Sequence, residues 1–171
     1  MSNSLKDMKL GLLFALLTLS VGFLMGANFG AREDEIKAKL AADGNAVLAT
    51  VYQGDQAKLE KATDKAWAYI KRGHFHGTGI GTAALALIAL LAMIQAPLLP
   101  KKLTAILLGL GGFGYSLSWT WAGFLLPSLG SGGAARAHLV WLGMPSAAAA
   151  VAGVLLATVL IAKDAFSPKN K

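Results

Sequence analysis

The sequence predicts an all-α fold, an integral-membrane four-helix bundle with an extracytoplasmic helical hairpin between its first and second spans. Three observations predict it. Four apolar stretches are each long enough to cross a hydrocarbon core, which takes about 20 residues. Lysines crowd the two tails and the short "PLLPKK" turn, the bias that sets orientation in membrane proteins. Between the first two stretches lies a polar segment whose apolar residues recur with helical period. A mean hydropathy of +0.55, with 55% hydrophobic residues, fits one membrane unit better than a water-soluble domain.

Residues 1–9 form a short basic N-terminus and residues 10–31 the first span. Lys6 and Lys9 before an apolar run also suit a signal peptide, but the run is long and "MGANFGAR" is a poor small-x-small cleavage site, so an uncleaved span is expected. Thr18, Gly22, Gly26 and Gly30 recur every four residues and offer a flat stripe for close approach of a neighbouring helix.

Residues 32–75 are expected to form the hairpin. Ile36, Leu40, Val47 and Val51 share one helical face, and "QGD" then breaks the pattern. Asp55 fits an N-cap, and Leu59, Ala62, Ala66, Tyr69 and Ile70 continue an apolar stripe toward the membrane. The acidic "REDE" suits the opening turn of a helix through its dipole and carries no metal-site reading.

Spans two, three and four are placed at residues 76–96, 103–126 and 139–162, with a tail at 163–171. Gly77, Gly79 and Gly81 open the outer end of span two to a neighbouring backbone or a flat ligand. The "GLGGFG" and "SAAAAVAG" runs favour tight packing of spans three and four. Pro145 lacks an amide hydrogen, and a kink is expected near "GMPS".

With four spans, the side holding both termini and the "PLLPKK" turn carries seven lysines against Asp7 and Asp164, a net +5; the opposite side carries the remaining +2. Both termini are therefore expected in the cytoplasm of a bacterium, with the chain multi-pass in the inner membrane and the hairpin in the periplasm. Trp67, Trp119, Trp121 and Trp141 all fall toward the outer side, where indole rings favour the interface.

The overall charge of +7 and pI near 9.8 follow from these topogenic cations, and nucleic acid is not an expected partner. The lipid bilayer is, together with other membrane or periplasmic subunits. The absence of cysteine removes disulfides, thiolate metal ligands, iron–sulfur clusters and covalently attached haem. No acidic or basic residue falls mid-membrane, which disfavours a proton-coupled pump. No nucleophile elbow, phosphate loop or zinc-protease motif occurs, so the isolated chain is not expected to be an enzyme; a role within a redox complex stays open.

An ungapped shift of 64 residues lays "RGHFHGTGIGT" over "RAHLVWLGMPS", matching Arg72 with Arg136, His74 with His138 and Gly79 with Gly143. This suggests a duplicated two-span unit related by an axis along the membrane normal. His74, His76 and His138 would then share one outer layer. Paired histidines can hold haem b, with Arg72 and Arg136 at its propionates. Since His74 and His76 lie about 200° apart on a helix, only one of them would pair with His138. Met25 and Met144 allow a soft metal site with these imidazoles, and a quinone is a further option. An interfacial histidine also needs no cofactor, because Arg and His at a span end commonly meet lipid phosphate or the first carbonyls.

The order of short basic start, span, outer hairpin, "R-x-H-x-H-G-x-G-I-G" and three more spans resembles a group of uncharacterised bacterial four-span membrane proteins. That resemblance implies the topology and no activity. The leading expectation is a small accessory membrane subunit, redox-linked through a haem, metal or quinone site. The alternative is a cofactor-free structural or assembly protein whose hairpin docks a partner.

Overall fold

The computed structural model describes residues 4–167, and Lys169 and Lys171 of the basic tail lie outside them. All regular elements among the described residues are helices: α1 (Ser4–Asp7), α2 (Lys9–Asn45), α3 (Leu48–Val51), α4 (Gln56–Met93), α5 (Leu98–Leu129), α6 (Gly132–His138) and α7 (Val140–Phe166).

Three of them, α2, α4 and α7, are long and apolar enough to cross a membrane. A further span is expected from the sequence at residues 103–126, on α5, whose composition differs for a physical reason. Helices α2, α4 and α7 all pack against it, so most of its surface meets protein. Small groups suit that surface: Gly109, Gly111, Gly112, Gly114, Ser116 and Ser118 are buried. Among its exposed large apolar side chains, Leu103, Leu110, Leu117 and Phe124 form a line at seven-residue spacing, with Trp121 beside it and Leu98, Leu99 and Leu129 at the two ends. At the other extreme, α7 buries only Gly153 and Ala157 and leaves most of its apolar surface open.

The helices overrun the expected spans. α2 continues to Asn45 and α4 already begins at Gln56, so the hairpin arms are extensions of the first two apolar helices. At 38 residues, α4 is about 57 Å long, far more than a hydrocarbon core of about 30 Å. α2 leaves helical geometry once, at Arg32 (φ −141°, ψ 26°), where the apolar run gives way to "REDE".

The hairpin has its own core. Leu40, Leu59, Ala62, Ala66, Tyr69 and Ile70 are buried with Ala122 and Leu126 of α5, and Ile36 and Val47 pack at the margin. Val51, the last residue of the expected first stripe, is 41% exposed but touches Gly130. The "QGD" break is real: Gln53 (φ 55°) and Gly54 (φ 77°) adopt left-handed backbone, and the Asp55 carboxylate caps α4 by accepting from the Lys58 amide at 3.0 Å. The buried Tyr52 hydroxyl donates to the Pro127 carbonyl at 2.6 Å and ties the hairpin to the end of α5.

At the opposite end of the bundle, Lys102 faces Asp7 at 3.7 Å and the Gln95 amide donates to Asp164 at 2.9 Å. The start of the described chain, the α4–α5 turn and the end of α7 thus meet at one end. Lys101 is buried there and donates to the Ile94 carbonyl beyond the end of α4 at 2.5 Å.

Small residues bring backbones together, as expected, but over a shifted stretch. The buried line on α2 is Gly11, Ala15, Thr18 and Gly22. A Cβ on Gly77 would lie 2.9 Å from the Gly22 Cα, and one on Gly81 would lie 2.7 Å from the Leu19 nitrogen. Gly30 meets nothing within 4 Å: it is exposed, while its neighbour Phe29 packs on Trp67 and His74 of α4. The neighbour that fills the bare turn of α4 is therefore α2 at Gly77 and Gly81, while Gly79 faces open space. Helix α7 runs through Pro145 as one helix; the break falls earlier, at Leu139 (φ −109°, ψ 15°) between α6 and α7.

Candidate functional site

Gly73, Gly77 and Gly81 form the buried side of α4 at four-residue spacing, and this fixes where the intervening side chains go. Ser116 locks the register by donating to the Gly73 carbonyl at 2.7 Å. His74 leaves this face toward α2, and His76 leaves it toward α5.

The His74 Nδ1 lies 2.7 Å from the Gly22 carbonyl, a contact in which the nitrogen carries the proton and donates. Gly26 makes room for the ring, since a Cβ there would sit 2.8 Å from Cε1. Phe29 meets the imidazole edge-on at 5.5 Å. His74 therefore joins α2 to α4.

His76 packs on Tyr115 at 4.9 Å and on Trp119 at 6.1 Å. One turn earlier, the Arg72 guanidinium lies 5.6 Å from the Tyr69 ring and 5.2 Å from the Trp119 ring, both within cation–π range. Tyr69 meets Trp119 edge-on at 4.9 Å. Trp119 is thus shared by an imidazole, a guanidinium and two phenols.

The second set of residues lies on α6 and α7. Arg136 donates from Nε to the Gly132 carbonyl at 3.2 Å, and its side chain belongs to an exposed residue. His138, at the last position of α6, is exposed and makes no side-chain hydrogen bond among the described residues. Between α5 and the α6–α7 corner opens a cavity of about 390 Å³. Arg136 lies at its outer end, Trp119 and Tyr115 form one wall, and Gly143, Met144 and Ala147 form the other. Met25 is elsewhere, its sulfur 3.6 Å from the Thr120 hydroxyl.

The structure therefore gathers Arg72 and His76 around Trp119, and Arg136 and Met144 around the cavity beyond it. His74 is engaged with α2, and His138 stands at an exposed helix end. Among the described residues, no three His, Asp or Glu side chains converge as a metal-binding group.

Trp119, Tyr115 and Gly73 escaped the sequence reading as site residues. For Gly73 a signal existed: it stands four residues before Gly77 and eight before Gly81, a continuous helical stripe. Trp119 carried only an interfacial signal, and its central place depends on how α4 and α5 meet. No family model, curated protein or solved structure matches the chain.

Proposed function

We propose that the chain is a cofactor-free accessory protein of the bacterial inner membrane, with α2, α4, α5 and α7 all crossing the bilayer and both termini cytoplasmic. The extracytoplasmic hairpin presents a fixed surface to another membrane or periplasmic subunit. The observation that carries this reading is the hairpin's construction: its arms continue α2 and α4, enclose a core with α5, and are fastened by Tyr52. An ordering penalty for the hairpin is thereby met before any partner arrives. The outward side holds short ion pairs, Lys37 with Glu33 and Lys39 with Asp43, rather than an uncovered apolar patch.

The four-span placement draws support from the lysine bias, the meeting of Asp7 near the start and Asp164 near the end of the described residues at one end of the bundle, and the tryptophans toward the other. Because the sequence has no cysteine, single cysteines report sidedness cleanly. Glu60→Cys and Ser128→Cys should react with a membrane-impermeant maleimide in intact cells, and Gln95→Cys only after permeabilisation. Labelling of all three from one face overturns the placement.

The redox-linked reading keeps one favourable observation. A histidine that donates from Nδ1 to a carbonyl has its Nε2 lone pair set for a metal, and His74 does so. A spectrum of protein purified in mild detergent separates the readings. The accessory reading expects a colourless, metal-free preparation; a Soret band lost in both His74→Ala and His138→Ala replaces it with a haem-binding subunit.

A further inference from the structure

We propose that the cavity between α5 and the α6–α7 corner binds one phospholipid with an anionic headgroup, the head held at Arg136 and an acyl chain entering between α5 and α7. Polarity is ordered along the cavity. Arg136 on α6 stands at the outer end, and the walls below it are Trp119 and Tyr115 facing Gly143, Met144 and Ala147. That order is the order of an amphiphile in the outer leaflet.

The cavity is a wedge with a floor. Below it α5 and α7 touch: a Cβ on Gly111 would lie 2.5 Å from the Ala150 nitrogen, and one on Gly114 would collide with the Ser146 hydroxyl. Higher up, a Cβ on Gly143 would meet Ser118 only at ordinary contact distance, 3.4 Å. Beyond Gly143 the chain turns from α7 into α6 at Leu139, which packs back into the core with Ala122 and Leu126, so the cavity lies between that corner and the contact below.

Charge selects the head. From Lys65 to Lys163 the sequence contains no aspartate or glutamate, so no carboxylate on α5 or α6 can neutralise Arg136. Lys65 adds a second cation nearby, its Cε 2.9 Å from where a Cβ on Gly132 would lie. Arg72 adds a third over the shared Trp119 ring. A lone phosphate would need only these cations, whereas the apolar wedge beneath them has the form of a chain site. Trp121 and Trp141, paired edge-on at 6.5 Å and both exposed, mark the depth at which headgroups lie.

The inference rests on the membrane placement proposed above, but the two fail separately, since binding is read in detergent and sidedness in cells. The full chain is titrated by native mass spectrometry with phosphatidylglycerol and with phosphatidylcholine of identical chains. One phosphatidylglycerol should bind about five-fold more tightly than phosphatidylcholine, the effect of one basic side chain near a membrane surface. Arg136→Gln should reduce that preference, leaving what Lys65 and Arg72 supply, and Gly143→Leu, which fills the wedge, should weaken both lipids. Equal affinity for the two lipids in the unaltered chain overturns the proposal, as does an unchanged preference in Arg136→Gln. Full competition by glycerol phosphate at the lipid's own concentration overturns the acyl part and leaves a simple anion site. If Gly143→Leu fails to fold, Arg136→Gln alone decides, because Arg136 is an exposed residue whose one protein hydrogen bond, to the Gly132 carbonyl, lies within α6.

Discussion

The two Arg-x-His segments share a sequence pattern and almost nothing else. Around Arg72 and His74 the chain is mid-helix, inside 38 unbroken residues, with Gly73 pressed against Thr120 and His74 bonded across to α2. Around Arg136 and His138 a seven-residue helix ends, His138 is exposed, and the backbone turns at Leu139 before α7 begins. What precedes each segment decides the outcome. The first is approached by a hairpin arm that already has helical periodicity and an Asp55 cap. The second follows "PSLGSGG", where Gly130 takes left-handed backbone (φ 76°) and Ser131 starts a new helix by capping Ala134. The expected duplication rests on the matched residues alone, and the two segments hold different structural roles.

The sharpest way to break this comparison is the matched pair Gly73 and Ala137. Gly73→Leu must push into Thr120 and the Ser116 carbonyl and should cost about 3 kcal/mol or prevent folding, whereas Ala137→Leu, on an exposed position, should stay within about 0.5 kcal/mol. Chemical unfolding in detergent reads both, and equal costs would return the two segments to equivalence. Next comes the histidine pair. His74→Ala loses the bond to Gly22 and should cost about 1–3 kcal/mol by the same measurement, against less than about 0.5 for His138→Ala.

The smallest expected effect concerns α5, which both segments share. Tyr52→Phe removes the donor to Pro127 and should cost about 0.5–1.5 kcal/mol. Burial pushes the Tyr52 phenol above its ordinary pKa. A raised folded pKa means that its contribution is complete below about pH 10 and falls away as pH rises through the folded value. Thermal unfolding should therefore show an alkaline loss in the unaltered chain that Tyr52→Phe lacks; parallel curves would detach the hairpin from α5.

Much of the fold could be read locally. The Asp55 cap, the buried face from Leu59 to Ile70 and the close approach at Gly22 all follow from spacing, because each is decided within a few turns of helix. The role of α5 was not legible in the same way. A helix surrounded by other helices and one surrounded by lipid both lack charge, and only the tertiary arrangement tells the glycines at 109, 111, 112 and 114 from flexible filler. Gly30 shows the converse: it continues the four-residue pattern of Gly22 and Gly26, yet it is exposed and a side chain there would meet nothing, while Phe29 beside it makes the contact to α4. The site was legible as a set of residues and not as an arrangement. Arg72, His76, Arg136 and Met144 were singled out by type, but Trp119, the ring that relates Arg72 and His76 to the cavity, becomes visible only when α4 and α5 are side by side.

The unbroken α4 has a mechanical corollary. A rod of about 57 Å turned by about 10° displaces its tip by about 10 Å. Thinning or thickening of the surrounding bilayer changes the inclination of such rods. Whatever rests on the hairpin would feel that swing, amplified by leverage, without any loop in between to absorb it.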